Sequence, residues 1–455
     1  MPFNAGPEMW HIGKTILLLS AFLCSVYAAK NCRCENEEDC KQQYEKDSQS
    51  KEVYVFSNEE TDVETWSWNS ITTLIVSASF DYNNAAQFKT MCVAHSKKRK
   101  FGFTVDMTLN GQINVTSNET LQWIATVKSK QAQWHAEVVA INLLPYFKND
   151  VNSSTKDHEN LAVLLKNTKD AVRNGSTSYT IQIACIIPWR PPCSEIEEEC
   201  DFSKLSTDGC DLFIINPESF TDLDGVKCMA RATIPFSKLV YGISEYNAHH
   251  IPNKQIILGV PWHGYDYTCQ QLTNEVCILD HDEKCHYADR KMMSHADLMS
   301  NFSAKYLKSD FNELYNAPYF NYEKNDKQHQ VWFENPSSLM NKYRLVHELG
   351  LKGIGVMYGD DLVSHLPRKM FFDDQEMWSW VNHEIILQAS QKPARNDFHY
   401  ADTVAGVAVG CLLLGTVLGF LFTCLALRKR VKKPKEPFAS DRPSVEEFVD
   451  EDPNL

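Results

Sequence analysis

Clusters of histidine, cysteine and acidic residues are the first candidates for chemistry, because such side chains bind metals and transfer protons. His249, His250 and His263 lack the spacing of a metal site, and AHHIPNK (248–254) is typical of a surface turn. HDEKCH (281–286) mixes ligand types, and metal binding there is an alternative to a disulfide at Cys285. The sequence predicts no metal site and no cofactor.

A second stretch is informative because it lacks acids. Residues i and i+2 of a strand face the same side, so a D-x-E pattern would direct two carboxylates into one cleft. HAEVVAINLLPYF (135–147) has the apolar character of a buried strand, yet residues 138–149 contain no Asp or Glu. The nearest polar residue is Asn142, and an amide cannot act as a general acid. Glu137 lies at the other end of the strand.

Eight short apolar runs alternate with helical patterns, which predicts a parallel sheet. Eight such units suit a (β/α)₈ TIM barrel of the α/β class, whose strands are buried. A doubly wound open sheet is the alternative fold. The predicted strands are 52–56, 72–78, 101–107, 136–144, 179–187, 210–216, 255–260 and 353–357.

Both ends of the chain carry membrane-targeting features. Lys14, the apolar run 15–24 and small residues before position 29 predict a cleaved signal peptide at 1–28. Residues 404–427 contain no charge and are long enough for one membrane-spanning helix, and RKRVKKPK (428–435) follows. We therefore expect a single-pass type I membrane protein, in the plasma membrane or an endolysosomal membrane, with an extracellular or lumenal ectodomain.

Composition divides the rest of the chain. We predict a Cys-rich segment at 30–50, the barrel at 51–385, a stalk at 386–403 and a disordered cytosolic tail at 428–455, first basic and then acidic. The formal charge of −14 argues against nucleic acid as a partner. Two GxxxG motifs in the span could support a transmembrane homodimer through Gly406, Gly410, Gly415 and Gly419.

Cysteine and sequon counts agree with this topology. Twelve of the 15 cysteines fall between Cys32 and Cys285, an even number that predicts mostly disulfides without fixing their connectivity. Five glycosylation sequons precede the span and none follows it, at Asn114, Asn118, Asn152, Asn174 and Asn301.

Several longer strings resemble the chitobiase-like members of glycoside hydrolase family 18. They include CRCENEEDC (32–40), GCDLFIIN (209–216), LGVPWHGYDYTC (258–269) and VWFENPSSL (331–339). The resemblance covers roughly residues 32–385 and implies a TIM barrel. It also implies a D-G-x-x-x-D-x-E motif at the end of strand 4, where the Glu protonates the glycosidic oxygen and the Asp supports the substrate's own N-acetyl group as nucleophile.

This chain departs from that motif. An ungapped alignment puts Ala136, Ile141 and Leu143 on its first Asp, second Asp and Glu, which would turn aliphatic side chains towards the cleft. Strand 6 ends in INPES (215–219), with Glu218 on the family's Tyr position. Met357 takes the place of the Trp that floors the sugar subsite at strand 8. The resemblance therefore implies a barrel that has lost its catalytic residues.

Three functions follow. The first is a catalytically inactive receptor, adhesion or scaffold module with a glycan or protein ligand. The second is a lectin for N-acetylglucosamine oligosaccharides, in which aromatic side chains stack on the sugar. The alternative role of these aromatic side chains is to pack within the barrel framework. The third is an active glycosidase of chito-oligosaccharides or the N-glycan core, with an acid relocated to Glu218. The stacking candidates are Trp262, Tyr265, Tyr267 and Trp332.

Overall fold

The computed structural model describes ten ranges of the chain, all within one compact unit, residues 1–392. Within these ranges no helix has both the length and the apolar composition needed to cross a membrane. The predicted signal peptide, Cys-rich segment, anchor 404–427 and tail lie outside them, as does the stalk apart from residues 386 and 387. The ranges are 51–58, 63–109, 113–149, 155–174, 181–192, 201–216, 228–279, 290–302, 310–363 and 374–387.

Eight parallel strands close into a barrel, which confirms the predicted fold and excludes the open sheet. The last barrel strand, β14 (Gly353–Met357), pairs with both β7 (Ile256–Pro261) and β1 (Glu52–Ser57), and Tyr54 of β1 faces Gly355 across the closing seam. Every predicted strand is present, with ends that differ by a few residues. The barrel strands are β1 (Glu52–Ser57), β2 (Thr73–Val76), β3 (Lys100–Asp106), β4 (Val138–Asn142), β5 (Gln182–Ile187), β6 (Leu212–Ile215), β7 (Ile256–Pro261) and β14 (Gly353–Met357).

Helices surround the barrel, and several begin at a side-chain cap. Asn84, Ser117 and Asn335 each accept hydrogen bonds from backbone N–H groups in the first turn of their helices. Between β1 and β2 the described residues form two 3₁₀ turns, at Val63–Thr65 and Trp68–Ser70. The helices are α1 (Ala85–Ser96), α2 (Asn118–Gln133), α3 (Leu144–Asn149), α4 (Thr155–Arg173), α5 (Phe236–Ala248), α6 (His295–Asn301), α7 (Pro336–Glu348) and α8 (Asp374–Trp380).

A second sheet, absent from the sequence prediction, is inserted between β7 and β14. Its five main strands run antiparallel in the order β10-β8-β13-β12-β11, and β9 pairs with β8 outside that order. These strands are β8 (His263–Thr273), β9 (Val276–Leu279), β10 (Arg290–Ser294), β11 (Asp310–Asn312), β12 (Ala317–Lys324) and β13 (Lys327–Trp332).

Alternation along the barrel strands separates two apolar layers. Tyr54, Val138, Ala140 and other strand residues fill the barrel interior, whereas their neighbours in sequence pack outwards against the helices. At the amino-terminal end of the barrel, Lys100 bonds Glu52 at 3.2 Å and Gln182 at 2.9 Å. This polar layer closes the barrel at the amino-terminal ends of its strands.

The six cysteines among the described residues are all disulfide-bonded, as the even count predicts for this part of the chain. Cys185 of β5 is joined to Cys210, which lies just before β6, and Cys269 is joined to Cys277 across the β8–β9 turn. The first of these bonds ties together two adjacent barrel strands.

Candidate functional site

A cavity of about 190 Å³ opens at the carboxyl ends of the barrel strands, the face on which TIM barrels carry their sites. We call this opening the mouth. Seven of the eight barrel strands, or the residues just after them, contribute to its wall. Among the described residues that line it, Asp106 alone carries a carboxylate. The lining residues are Phe56, Asn58, Ser77, Ala78, Thr104, Asp106, Asn142, Ile186, Asn216, Met357 and Tyr358.

Asn142 and Asp106 form a hydrogen-bonded pair in this wall. The Asn142 amide nitrogen donates to Asp106 Oδ1 at 2.8 Å, and the Asn142 amide oxygen accepts from the backbone N–H of Leu144 at 3.1 Å. Both ends of the Asn142 amide are therefore engaged within the protein, and the pair presents one carboxylate to the cavity. Asn142 is the polar residue nearest the expected motif in sequence, whereas its partner Asp106 lies on the adjacent strand and was not among the predicted site residues.

The register of β4 differs from that of the ungapped alignment. Ile141 and Leu143 are fully buried in the outer layer between strands and helices, as is Ala136, so the expectation that aliphatic residues at these positions face the cleft is wrong. Val138, Ala140 and Asn142 are the β4 side chains that face inwards. The physical reason is the two-residue period of a strand: a shift of one residue moves every side chain to the opposite face.

Of the remaining positions at the ends of strands 6 and 8, some line the cavity and one lies outside the described residues. Met357 ends β14 and lines the cavity, where the resemblance implies a subsite floor. Asn216, one residue beyond β6, also lines it. Glu218 lies outside the described residues.

The turn after β14 contains two buried carboxylates that hydrogen-bond to neighbouring segments at the mouth. Asp360 accepts hydrogen bonds from the Ser57 hydroxyl at 3.0 Å and the Asn58 backbone N–H at 2.7 Å, which joins this turn to the end of β1. Asp361 accepts from the Tyr358 backbone N–H at 2.8 Å and contacts His263 Nδ1 at 3.2 Å. Neither carboxylate lines the cavity, so both act on its shape.

A buried polar cluster continues from Asp361 into the inserted sheet. Glu334 and Lys342 form an ion pair at 2.7 Å with both side chains fully buried, and Ser338 donates to the same carboxylate at 2.6 Å. Burial raises the pKa of Glu334 against the opposing effect of Lys342. Burial also lowers the pKa of His295 to about 4, although Asp361 acts in the other direction. Glu334, Ser338 and Lys342 follow one another at four-residue intervals, whereas His295 and Asp361 come from distant segments, so sequence spacing gives no signal for the contacts of those two.

The four aromatic stacking candidates lie away from the cavity, packed in the interior. The Trp262 indole N–H donates to the Tyr343 hydroxyl at 3.2 Å, and its ring meets Trp378 edge-on at 4.7 Å. Trp332 stacks on Tyr319 at 4.6 Å. At most 5% of each candidate is exposed, which favours the alternative role as framework. They are Trp262, Tyr265, Tyr267 and Trp332.

The structure also locates the remaining candidates. Asn114, Asn118, Asn174 and Asn301 are exposed, and Asn152 lies outside the described residues, so glycosylation stays a prediction. No group of three or more His, Cys, Asp or Glu side chains suited to a metal occurs in the described ranges. Residues 281–286 lie outside those ranges.

Comparisons with known proteins point to one family. Residues 133–357 match the family described as Glycosyl hydrolases family 18. Di-N-acetylchitobiase of Rattus norvegicus is 26% identical over 378 residues, covering 80% of this chain and 96% of that protein. The Homo sapiens di-N-acetylchitobiase is 25% identical over 367 residues, covering 79% and 90%.

Solved structures agree on the architecture. A class V chitinase from Nicotiana tobaccum superposes with a TM-score of 0.54 at 13% identity, over 74% of this chain and 99% of that chain. The spore cortex-lytic enzyme of Bacillus cereus gives a TM-score of 0.52 at 16% identity, over 74% and 75%. At these identities the likeness shows the fold alone.

Proposed function

Since this chain belongs to glycoside hydrolase family 18 and is chitobiase-like, we propose that its ectodomain is a catalytically inactive barrel that serves as a receptor, adhesion or scaffold module. The observation that carries the proposal is the identity of the β4 side chain at the mouth. In the observed register Asn142 faces the cavity in place of Leu143, which the ungapped alignment puts on the catalytic Glu, and Ala140 faces inwards in place of Ile141, which it puts on the supporting Asp.

The chemistry of these two positions argues against hydrolysis. An amide has no proton to give to a leaving oxygen at neutral pH, and loss of a general acid removes about 10²–10⁴ in rate. Ala140 offers no charge to stabilise a cationic intermediate and is packed among apolar side chains in the barrel interior. The two losses act on different parts of the reaction, so their effects should multiply.

Asp106 is the residue that could in principle supply the missing acid. It comes from β3, and its Oδ1 accepts a hydrogen bond from the Asn142 amide at 2.8 Å. This hydrogen bond, together with the one from the Leu144 N–H to the Asn142 amide oxygen, fixes the orientation of the Asn142 side chain. We therefore assign Asp106 to the shape and polarity of the cavity.

Hydrolysis of chito-oligosaccharides tests the proposal. The purified ectodomain, residues 30–400, is incubated with chitotriose beside an active family member, and products are followed by mass spectrometry. We expect no product above the uncatalysed level, with or without Asp106→Asn. Product that disappears in Asp106→Asn or in Glu218→Gln would overturn the proposal and establish an enzyme with a relocated acid.

A sugar-binding function is the second candidate, and the polar lining of the mouth favours it. Asn58, Ser77, Thr104 and Asn216 add amide and hydroxyl groups to the wall, which suit the hydroxyl and acetamido groups of N-acetylglucosamine. Calorimetric titration of chitotriose into the ectodomain tests this function. Saturable heat that is lost on Asn142→Leu would support a lectin, whereas no heat at millimolar sugar would leave the loops and outer barrel face as a protein-binding surface.

The membrane attachment belongs to the same proposal. Residues 404–427 would anchor the ectodomain as a single-pass type I glycoprotein of the plasma membrane or an endolysosomal membrane. Resistance of the full chain to carbonate extraction, lost when 404–427 is deleted, would support the anchor. Disulfide crosslinking of cysteines introduced at Gly406 and Gly410 would test the transmembrane homodimer.

A further inference from the structure

A second cavity lies on the outer wall of the barrel and is larger than the mouth, at about 490 Å³. We call it the α2 groove. One side is the exposed surface of α2, and the other is the segment that leads from β2 into α1. Its lining residues are Phe80, Asp81, Tyr82, Gln122, Ala125, Thr126, Ser129, Lys130, Gln133 and Trp134.

The α2 groove combines aromatic rings with hydrogen-bonding groups, of which only Asp81 and Lys130 are charged. Tyr82 is half-buried and meets Trp134 edge-on at 5.2 Å, whereas Trp134 and Phe80 are buried, so Tyr82 is the ring that a ligand in the groove can contact. Lys130 donates to the Ala78 carbonyl oxygen at 2.9 Å, so its ammonium is held by the barrel. One accessible ring beside amides and hydroxyls suits an oligosaccharide better than a lipid chain, and the Asp81 carboxylate can accept hydrogen bonds from sugar hydroxyls.

The remaining polar groups lie on α2 itself. Gln122, Thr126, Ser129 and Gln133 are all exposed and supply amides and hydroxyls at intervals of three or four residues. That spacing places them along one side of a helix. They form a row of donors and acceptors that matches the hydroxyl groups of a chain of sugars.

The sequon at Asn118 opens the same helix on the same side. Asn118 is the first residue of α2 and is exposed. Asn118, Gln122, Ala125 and Ser129 are separated by four, three and four residues, so they share one face of the helix. The lining begins about 6 Å along the axis from Asn118 and ends, at Gln133, about 22 Å from it.

We propose that the glycan attached to Asn118 docks in the α2 groove as an intramolecular ligand. Tethering raises its effective concentration to the millimolar range, so even weak contacts with the Tyr82 ring and the amides would keep it docked. The docked glycan covers a side wall of the barrel and leaves the mouth free. This inference rests on the part of the proposed function that places the ectodomain in the secretory pathway.

Native deglycosylation tests the docking. The ectodomain is produced in glycosylating cells, treated with an amidase for N-glycans under native conditions, and followed at each site by mass spectrometry. The Asn174 glycan, at the exposed end of α4, is the internal reference. We expect the Asn118 glycan to be released at least roughly tenfold more slowly than the Asn174 glycan, a ratio that corresponds to about 1.4 kcal/mol of docking. The ratio should disappear after denaturation.

A matched pair of variants ties the protection to the groove. Ala125→Arg fills the α2 groove from an exposed position, whereas Ala132→Arg makes the same change on an exposed residue of α2 that does not line it. We expect Ala125→Arg alone to raise release at Asn118 to the rate at Asn174.

Three results would overturn the inference: equal release rates in the unmodified chain, protection that survives Ala125→Arg, or an empty Asn118 beside an occupied Asn174. All three leave the proposed function intact. Absence of glycan at every sequon would count against both, because it would place the ectodomain outside the secretory pathway.

Discussion

The buried imidazole of His295 should make the barrel less stable in acid, by an amount that follows from its surroundings. The side chain is 3% exposed, and burial lowers its pKa from 6.5 to about 4. A histidine with a lowered pKa is neutral in the folded chain, while the unfolded chain takes up a proton below pH 6.5. Its contribution to stability is therefore complete above pH 6.5 and is lost as the pH falls towards 4.

The size of the effect comes from the size of the pKa shift. Each pKa unit corresponds to about 1.36 kcal/mol, so the His295 contribution should fall by about 2 kcal/mol between pH 7 and pH 5. Unfolding entropy near 2.1 cal/mol/K per residue gives about 0.7 kcal/mol/K for roughly 330 residues, so the matching loss in Tm is about 3 °C.

Chemical denaturation of the ectodomain at pH 7.5, 6.5, 5.5 and 4.5 measures this loss. His295→Gln removes the titrating group and is the control, because carboxylates elsewhere also respond to pH. The free energy of unfolding of the unmodified chain should fall more steeply than that of the variant. Parallel curves, or an NMR titration that places the pKa of His295 near 6.5, would show that burial of His295 does not cause the loss of stability in acid.

Three further predictions concern stability and are measured by thermal or denaturant unfolding. Lys342→Met leaves Glu334 buried without its cation and should lower the free energy of unfolding by about 3–5 kcal/mol. The double variant Glu334→Leu/Lys342→Met should recover most of that stability. Equal stability of the single variant and the parent would contradict this account of the pair. Gly353→Ala places a Cβ 1.8 Å from a carbonyl oxygen of β1 at the barrel seam, so we expect a loss of at least about 1–3 kcal/mol, and an unchanged Tm would contradict it. Cys185→Ala/Cys210→Ala opens the bond between β5 and β6 and should cost about 2–4 kcal/mol, and a variant as stable as the parent under reducing and oxidising conditions alike would show that the disulfide is dispensable.

The barrel could be predicted because its signal is repeated and local. Each strand is a short apolar run between helical segments, and eight repeats leave few possible folds. The inserted sheet was missed because its strands are mixed in character: His263–Thr273 carries buried aromatic residues at one end and exposed polar residues at the other. Such a pattern gives no clean two-residue alternation.

The candidate site was harder to predict than the fold. β4 is apolar on both faces, so its sequence cannot tell inward from outward residues, and alignment to a motif fixed the register one residue away from the structure. The pairing of Asp106 with Asn142 depends on which strands are neighbours, 36 residues apart in sequence. The contact between His263 and Asp361 spans 98 residues and has no sequence signal at all.

The seam between β1 and β14 has a consequence for synthesis in the cell. Val55 pairs with Val356, so about 300 further residues must be translated before the second neighbour of β1 is present. At about 5–20 residues per second, translation leaves that edge of β1 open for roughly 15–60 s. An apolar strand edge exposed for so long can pair with other chains, so the nascent barrel should depend on chaperones until the ribosome passes Met357.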